Sequence, residues 1–448
     1  MTLATSALLE RLVPSEHPFL DEPAWMQVER VQAQAWLAAN GVPGAREEAW
    51  KYTPLDEIFS AVFDGSDVRP RPADGTAALD ELAGDHGGPR LVFVNGAFAP
   101  NRSRTALAPA GVVLGNGVSL ADSDGAFERS SATSSRFDGF QALNHIVGHD
   151  TVVLRVAPGT DVAPPIHVVH LSVPDATPSA SHPRTLIEVG EAARVTVIET
   201  YAGGAGRHLV NAATTIAVGC GAELSHYKVQ MEDADSVHVA HTSIEQAAGS
   251  AVRTCTVMLG ANIARNAVDI VLAGNGARLA VTGLYLPTGR QRHDNVVTVE
   301  HAASSCTSRQ LFNGVIDDHA RGSFGGRIIV QPDTVATDAG QTSRSLLLSP
   351  MAQADTRPWL EIRSDDVKCT HGATIGRLDA DALFYLRTRG IEPNKARAML
   401  VEAFIGEITD AIGPETLRSQ LEAATAARLS SGWLAGERDG DRAKETKT

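Results

Sequence analysis

Cysteine is scarce in this chain: four in 448 residues, Cys220, Cys255, Cys306 and Cys369, none of them paired at short spacing. A polypeptide this long can bury a large core without covalent staples, so the pattern fits a reducing compartment and excludes a disulfide framework. Long apolar runs are missing as well. None approaches the roughly 18 residues of a membrane span, and the opening residues reach Glu10 and Arg11 before a signal-peptide core builds up. No membrane association is expected, and the expected location is cytoplasmic. Positive charge is in deficit, with 39 Lys and Arg against 53 Asp and Glu for a formal net charge of -14. That excludes a nucleic-acid or anionic-membrane surface, both of which need a basic patch. The acidic surplus itself reads as solubility.

Signatures of common chemistries are also absent. No Gly-x-x-x-x-Gly-Lys-Ser/Thr occurs, so the chain has no P-loop nucleotide site of its own; the glycine-rich stretch Gly111 to Gly117 lacks the lysine and the strand-then-helix setting. There is no Gly-x-Ser-x-Gly elbow and no His-Glu-x-x-His. Strands do not alternate with helices, which removes a dinucleotide-binding fold.

What is present is a run of short β-rich segments from about Thr151 to Ser349. A turn phrase recurs in it, at Val189-Gly-Glu-Ala-Ala-Arg-Val195, Val218-Gly-Cys-Gly-Ala-Glu-Leu224, Ala248-Gly-Ser-Ala-Val252, Ala273-Gly-Asn-Gly-Ala-Arg-Leu279 and Ala302-Ala-Ser-Ser-Cys306. The starts lie roughly 25 to 30 residues apart, a period that marks a repeat architecture. Between them lie alternating strands such as Arg194-Val-Thr-Val-Ile198 and Ala280-Val-Thr-Gly-Leu-Tyr285. Two strands and two turns per repeat predict a β-solenoid ahead of a β-sandwich, whose turns need not recur in one form. A solenoid needs caps and offers long edges to a partner, which favours assembly over a pocket enzyme.

Around this core, residues 1–64 read as an N-terminal helical domain. Trp25, Val28, Val31, Ala35 and Trp36 form its apolar face, Gly41 and Pro43 stop the helix, and Trp50 and Tyr52 serve as anchors. Residues 65–150 read as a linker followed by the first strands, with Gly65 to Arg90 loosely ordered, hairpin turns at Asn95-Gly96 and Asn116-Gly117, and a short helix over Phe137 to Ile146. The β-solenoid core spans 151–376. Residues 377–432 form a C-terminal helical domain, with Gly390 ending its first helix and Met399, Leu400, Ala403, Phe404, Ile408, Ala411 and Ile412 striping its second. Residues 433–448 read as a disordered tail.

Few residues offer chemistry. His167 with His170, and His238 with His241, stand three apart, so on a strand each pair faces opposite sides and does not chelate. Asp365-Asp-Val-Lys-Cys-Thr-His-Gly-Ala-Thr374 is more suggestive. On a strand, Cys369 and His371 share a face about 7 Å apart, which suits two ligands for iron or partial ligation completed by another chain. Two ligands do not close a four-ligand site, and a buried cysteine beside a capping histidine at a strand end satisfies the same spacing.

That segment, with Leu383-Phe-Tyr-Leu-Arg-Thr-Arg-Gly-Ile391, closely resembles the SufB/SufD family of iron-sulfur cluster assembly proteins, on its SufD branch. The likeness continues through Ser308-Arg-Gln310, Phe324, Gly326, Thr337-Asp338, Gln341, Leu346-Leu-Leu-Ser349, Ala352, Pro358-Trp-Leu-Glu-Ile362 and the N-terminal Glu48-Ala-Trp-Lys-Tyr-Thr53. The resemblance implies a mainly β fold, a right-handed parallel β-helix between helical N- and C-terminal domains. It implies a non-catalytic scaffold in a complex with a SufB-type subunit, met through the end of the β-helix, and a SufC-type ABC ATPase. The ATPase would dock on the C-terminal helices, which carry Phe384, Tyr385, Arg389 and Phe404. A cysteine desulfurase system would supply sulfur, and a transient iron-sulfur cluster would be shared across the joint, with His371 matching the family histidine and Cys369 its companion. A reduced flavin would belong to the whole complex, and no residue here is assigned to it.

The chain departs from the SufB branch, which has Glu-His-Glu-Ala where this chain has Cys-Thr-His-Gly-Ala, and which has a cysteine in the strand where this chain has Glu361-Ile-Arg-Ser364. Two rival readings are a homodimeric interaction module, since an exposed solenoid edge can pair with itself, and a carbohydrate-active enzyme. The latter needs paired carboxylates on one face, whereas Asp317 and Asp318 are adjacent and on a strand would point apart.

Overall fold

The computed structural model describes residues 24–44, 47–60, 77–117, 138–173 and 179–433. From Thr151 onward the strands run in two ten-stranded sheets, and along the solenoid each pairs in parallel with the strand one turn earlier and one turn later until the last turn. Arg194 stands beside Glu223, Glu223 beside Ala251, Ala251 beside Arg278 and Arg278 beside Thr307, all in parallel register. The architecture is a β-solenoid, not a sandwich. Its turns stack like its strands. Each recurring phrase places one residue in the left-handed region, Ala192, Gly221, Gly249, Gly276 and Ser305, with φ of 54°, 65°, 67°, 74° and 59°. The amide of each donates to the neighbouring turn: Ala192 to Cys220, Gly221 to Ala248, Gly249 to Asn275 and Gly276 to Ser304. Small residues recur there because that backbone penalises larger ones.

Period-two alternation then fills the interior. Val195, Val197, Leu224, Val252, Leu279 and Val281 of one sheet meet Ile216, Ile244, Ile270, Val297 and Val299 of the other in one core. Each such side chain contributes about 1.5–3 kcal/mol when fully buried. The outer faces carry the helices. Helices Ala24–Asn40 and Gly139–Val147 cover one sheet, packing Ala33, Leu37, Phe140, Leu143 and Ile146 on Leu209, Val237, Val239 and Ile263. Helices Pro393–Thr409 and Glu415–Trp433 cover the other, setting Val401, Ile405, Ile408, Leu417 and Leu421 on Tyr227, Val229, Cys255, Val257 and Leu284. Among the described residues no helix is long and apolar enough to cross a membrane.

Several local expectations are revised. In the stretch read as loosely ordered, Ala77–Ala83 is helical and buries Leu79 and Ala83 against Val92, Val169 and Ala202. Parallel pairing also begins early, with Arg90–Val94 beside Ile166–Ser172. Asn95-Gly96 makes the expected tight hairpin, both residues at positive φ, but Asn116-Gly117 does not: the strand Val112–Asn116 pairs antiparallel with the distant Thr151–Val156. The first helix turns a different face inward, burying Met26, Glu29, Arg30, Ala33 and Leu37 and leaving Val28 and Val31 57% and 64% exposed. The cause is polar. Glu29 pairs with Arg184 at 2.9 Å, and Arg30 donates to the carbonyls of Ile146 and Gly148. In Pro393–Thr409 the stripe is partly rotated too: Ile408, and Ile412 just beyond the helix, are buried as expected, but Val401 and Ile405 are buried in place of Met399 and Ala403, which are exposed. The tail from 434 and the segments 61–76 and 118–137 lie outside the described residues.

Candidate functional site

The solenoid ends on two strands that nothing covers among the described residues. Gln353–Ile362 closes one sheet and Val367–Gly376 the other, each hydrogen-bonded on a single side, to Arg321–Val330 and Thr337–Leu347 respectively. Their outer edges present unpaired backbone groups, an open template for another strand. Apolar side chains stand exposed there: Trp359, Ile362 and Ile375 are 51%, 41% and 45% accessible. Ion pairs ring the edge, with Glu361 held by Arg327 and Arg363, and Asp338 by Arg309 at 2.7 Å.

Cys369 and His371 lie on the last strand. Cys369 pairs in register with the buried Ala339 and packs half-buried against Ile328, Val330 and Ala339, so its side chain faces the solenoid interior. His371, two residues on, pairs with Gln341, belongs to the same inward-facing set, and is exposed because no further rung follows. Partial burial holds the Cys369 thiol above its usual range, with the Asp338 carboxylate adding to the effect against a hydrogen bond from the Ala339 backbone. It is therefore mainly the neutral thiol at neutral pH, and binding iron requires that it give up its proton. Among the described residues no three His, Cys, Asp or Glu side chains converge to hold a metal ion.

The other cysteines are placed for packing. Cys255 is buried under the C-terminal helices and its thiol is pushed up to about 11 by burial. Cys306 is buried in a turn, donating to the Gly274 carbonyl at 3.3 Å. Cys220 is exposed in the same stack of turns, three turns earlier. The histidine pairs divide between faces: His238 meets Glu232 at 2.7 Å inside the solenoid, whereas His241 meets Asp269 at 2.8 Å under Gln141. His167 bonds Thr200 at 2.9 Å while His170 stacks on Tyr201 with ring centroids 4.8 Å apart. Asp317 and Asp318 sit in a turn, where Asp318 has φ of 51° and its amide donates to Asp317 at 2.8 Å.

On the C-terminal side, helix Ala380–Thr388 starts at an Asp379 cap and buries none of its residues. Phe384 and Tyr385 are 68% and 57% exposed, and Arg389 lies over the Tyr385 ring at 5.2 Å. Phe404 is set apart from them, half-buried against the solenoid, its carbonyl accepting from Asn313 at 3.0 Å.

Sequence reasoning overlooked a polar group inside the solenoid. Glu199 accepts from His226 at 2.8 Å and from Thr214 at 3.1 Å, with Lys228 on the same wall. Burial raises the Glu199 pKa, but the His226 hydrogen bond and the charges of His226 and Lys228 outweigh it and bring the carboxyl down to about 2. Burial draws Lys228 down to about 8. The available signal was a charged residue at an inward position of an alternating strand, as Glu199 is after Val195 and Val197.

Two family models match the chain: "SUF system FeS cluster assembly, SufBD core domain" over residues 172–404 and "SufBD protein N-terminal region" over residues 19–168. The chain is 32% identical over 402 residues to the iron-sulfur cluster assembly protein SufD of Escherichia coli, covering 88% of this chain and 91% of that protein. It is also 32% identical over 413 residues to a SufBD family protein of Synechocystis, covering 88% of each. To the chloroplastic protein ABCI7 of Arabidopsis thaliana it is 28% identical over 398 residues, covering 86% of this chain and 82% of that one.

Proposed function

Because the chain belongs to the SufBD family of iron-sulfur cluster assembly proteins, we propose that it is the SufD-type scaffold subunit of a cytoplasmic cluster-assembly complex. Its uncovered terminal strands pair with those of a SufB-type relative, and a nascent cluster forms at the joint. Cys369 and His371 supply ligands from this side, and the partner completes the set. The observation that carries the reading is their position on the inward side of the only solenoid end that these two unpaired strands leave open among the described residues. The exposed Phe384, Tyr385 and Arg389, with Phe404 behind them, dock a SufC-type ATPase. Nucleotide is hydrolysed there and not on this chain, and the movement opens the joint to iron and to sulfur from a desulfurase.

The test is anaerobic co-expression with SufB-type and SufC-type proteins of the same genome, followed by size-exclusion chromatography and iron and sulfide assay. The wild type should elute as one complex and build clusters. His371→Ser should leave the complex intact and lose the clusters; loss of the complex instead would assign His371 a structural role. A chain that elutes only with itself would transfer the open edges to a homodimer, the second reading that unpaired strands support.

A further inference from the structure

His371 does not stand on an ordinary hydrophobic core. The register stacks Val281, Gln310, Gln341 and His371 in one inward-facing column, each beside the next on successive strands. Strand spacing puts neighbours in such a column about 4.8 Å apart. Gln310 and Gln341 are 3% and 2% exposed, and both atoms of both carboxamides lack a hydrogen-bond partner among the described residues. Four orphaned polar atoms in a place where Val281 shows that an apolar residue fits are a cost that ordinary core packing does not incur.

Space has been made for one of them. Across the interior lies Gly326, whose φ is not positive, so conformation does not demand glycine there. A Cβ at Gly326 would come within 2.1 Å of the Gln341 Nε2 and 2.8 Å of its Oε1. The missing side chain is the room that the Gln341 carboxamide occupies. Ser343, the next inward residue after Gln341 on its strand, and Thr356, beside Phe324 on the opposite sheet, add hydroxyls that also lack a hydrogen-bond partner among the described residues.

We propose that Gln341, backed by Gln310, is the positioning residue for His371. When the ring turns inward, the Gln341 Oε1 accepts its N–H and leaves the other ring nitrogen, lone pair outward, at the open end. Gln310 in turn donates to Gln341, as stacked amides do in a parallel ladder. Histidines that ligate metals are commonly held this way through the second nitrogen, which selects the tautomer. The proposal rests on the reading of His371 as a cluster ligand, but its geometry can be tested apart from that reading.

In the free full-length chain labelled with 15N-histidine, the His371 signals are identified by their loss in His371→Ala. Gln341→Met, which keeps the bulk and loses the acceptor, should shift the His371 tautomer ratio severalfold, while Gln341→Glu, which keeps an acceptor oxygen, should hold it near wild type. An unchanged ratio in Gln341→Met overturns the proposal, as does an equal shift in both variants, which would report general disturbance of the core. In the assembled complex, Gln341→Met should lower cluster yield about 10-fold or more, and Gln341→Glu should recover part of it. If His371→Ala builds clusters at the wild-type rate, the ligand reading fails, while the tautomer ratio still decides whether Gln341 holds the ring.

Discussion

Asp294 gathers three donors, Arg265, Thr53 and Ser323, each at 2.6 Å. Arg265 also lies 3.9 Å over the ring of Trp50. These contacts tie the aromatic motif near the chain start to two adjacent solenoid strands: Trp50 to Arg265 on Ile263–Leu272, and Thr53 to Asp294 on Arg292–His301, 241 positions away in sequence. Arg265 is 3% exposed. Asp294→Ala would leave that guanidinium charged and unpaired, and a loss of about 3–5 kcal/mol is expected in urea unfolding. An unchanged urea midpoint would show that water reaches Arg265. Asp294→Asn, which keeps two of the hydrogen bonds available, should cost less.

Elements differ in what their exposed surfaces do. The helix Glu415–Trp433 is anchored by Leu417 and Leu421, both fully buried against the solenoid, so Leu417→Ala should cost about 2–5 kcal/mol. The neighbouring Ala380–Thr388 buries nothing. Phe384→Ala with Tyr385→Ala should therefore change stability by no more than about 0.5 kcal/mol per site yet release the ATPase in a pull-down. A destabilised double variant that still binds the ATPase would contradict both halves of that assignment.

The whole molecule carries histidines in its folded interior that cannot easily take a proton. Burial brings His170, His208 and His301 down to about 4, and His182 and His293 to about 3. Each has a lower pKa folded than unfolded, so below the ordinary value of 6.5 the unfolded chain binds more protons. Stability is then lost as pH falls from there toward the folded values, by up to about 1.4 kcal/mol per pH unit for each group. Glu199 adds a further loss between its ordinary 4.5 and about 2. Urea midpoints taken at about pH 7.5, 6.5 and 5.5 should fall steadily across the last interval. A flat profile would mean that these rings are solvated or already paired as cations.

Local chemistry determined much of this protein in advance. Turn phrases at a steady interval specify a solenoid because each must place a small residue at the same left-handed position, and Cys369 and His371 share a face because side chains on any strand alternate. These rules need only near neighbours, so a reading of the chain reaches them. Tertiary structure alone decided the rest, wherever the partner is remote in sequence. Glu29 is buried because Arg184 waits 155 positions away, and Val28 and Val31 are exposed as the consequence. Asn116-Gly117 is no hairpin because its strand finds Thr151–Val156 first. Gln310 and Gln341 carry part of the family likeness in the sequence, but nothing there stacks them beneath His371, since burial and missing hydrogen bonds are properties of the packed rung and not of the residue.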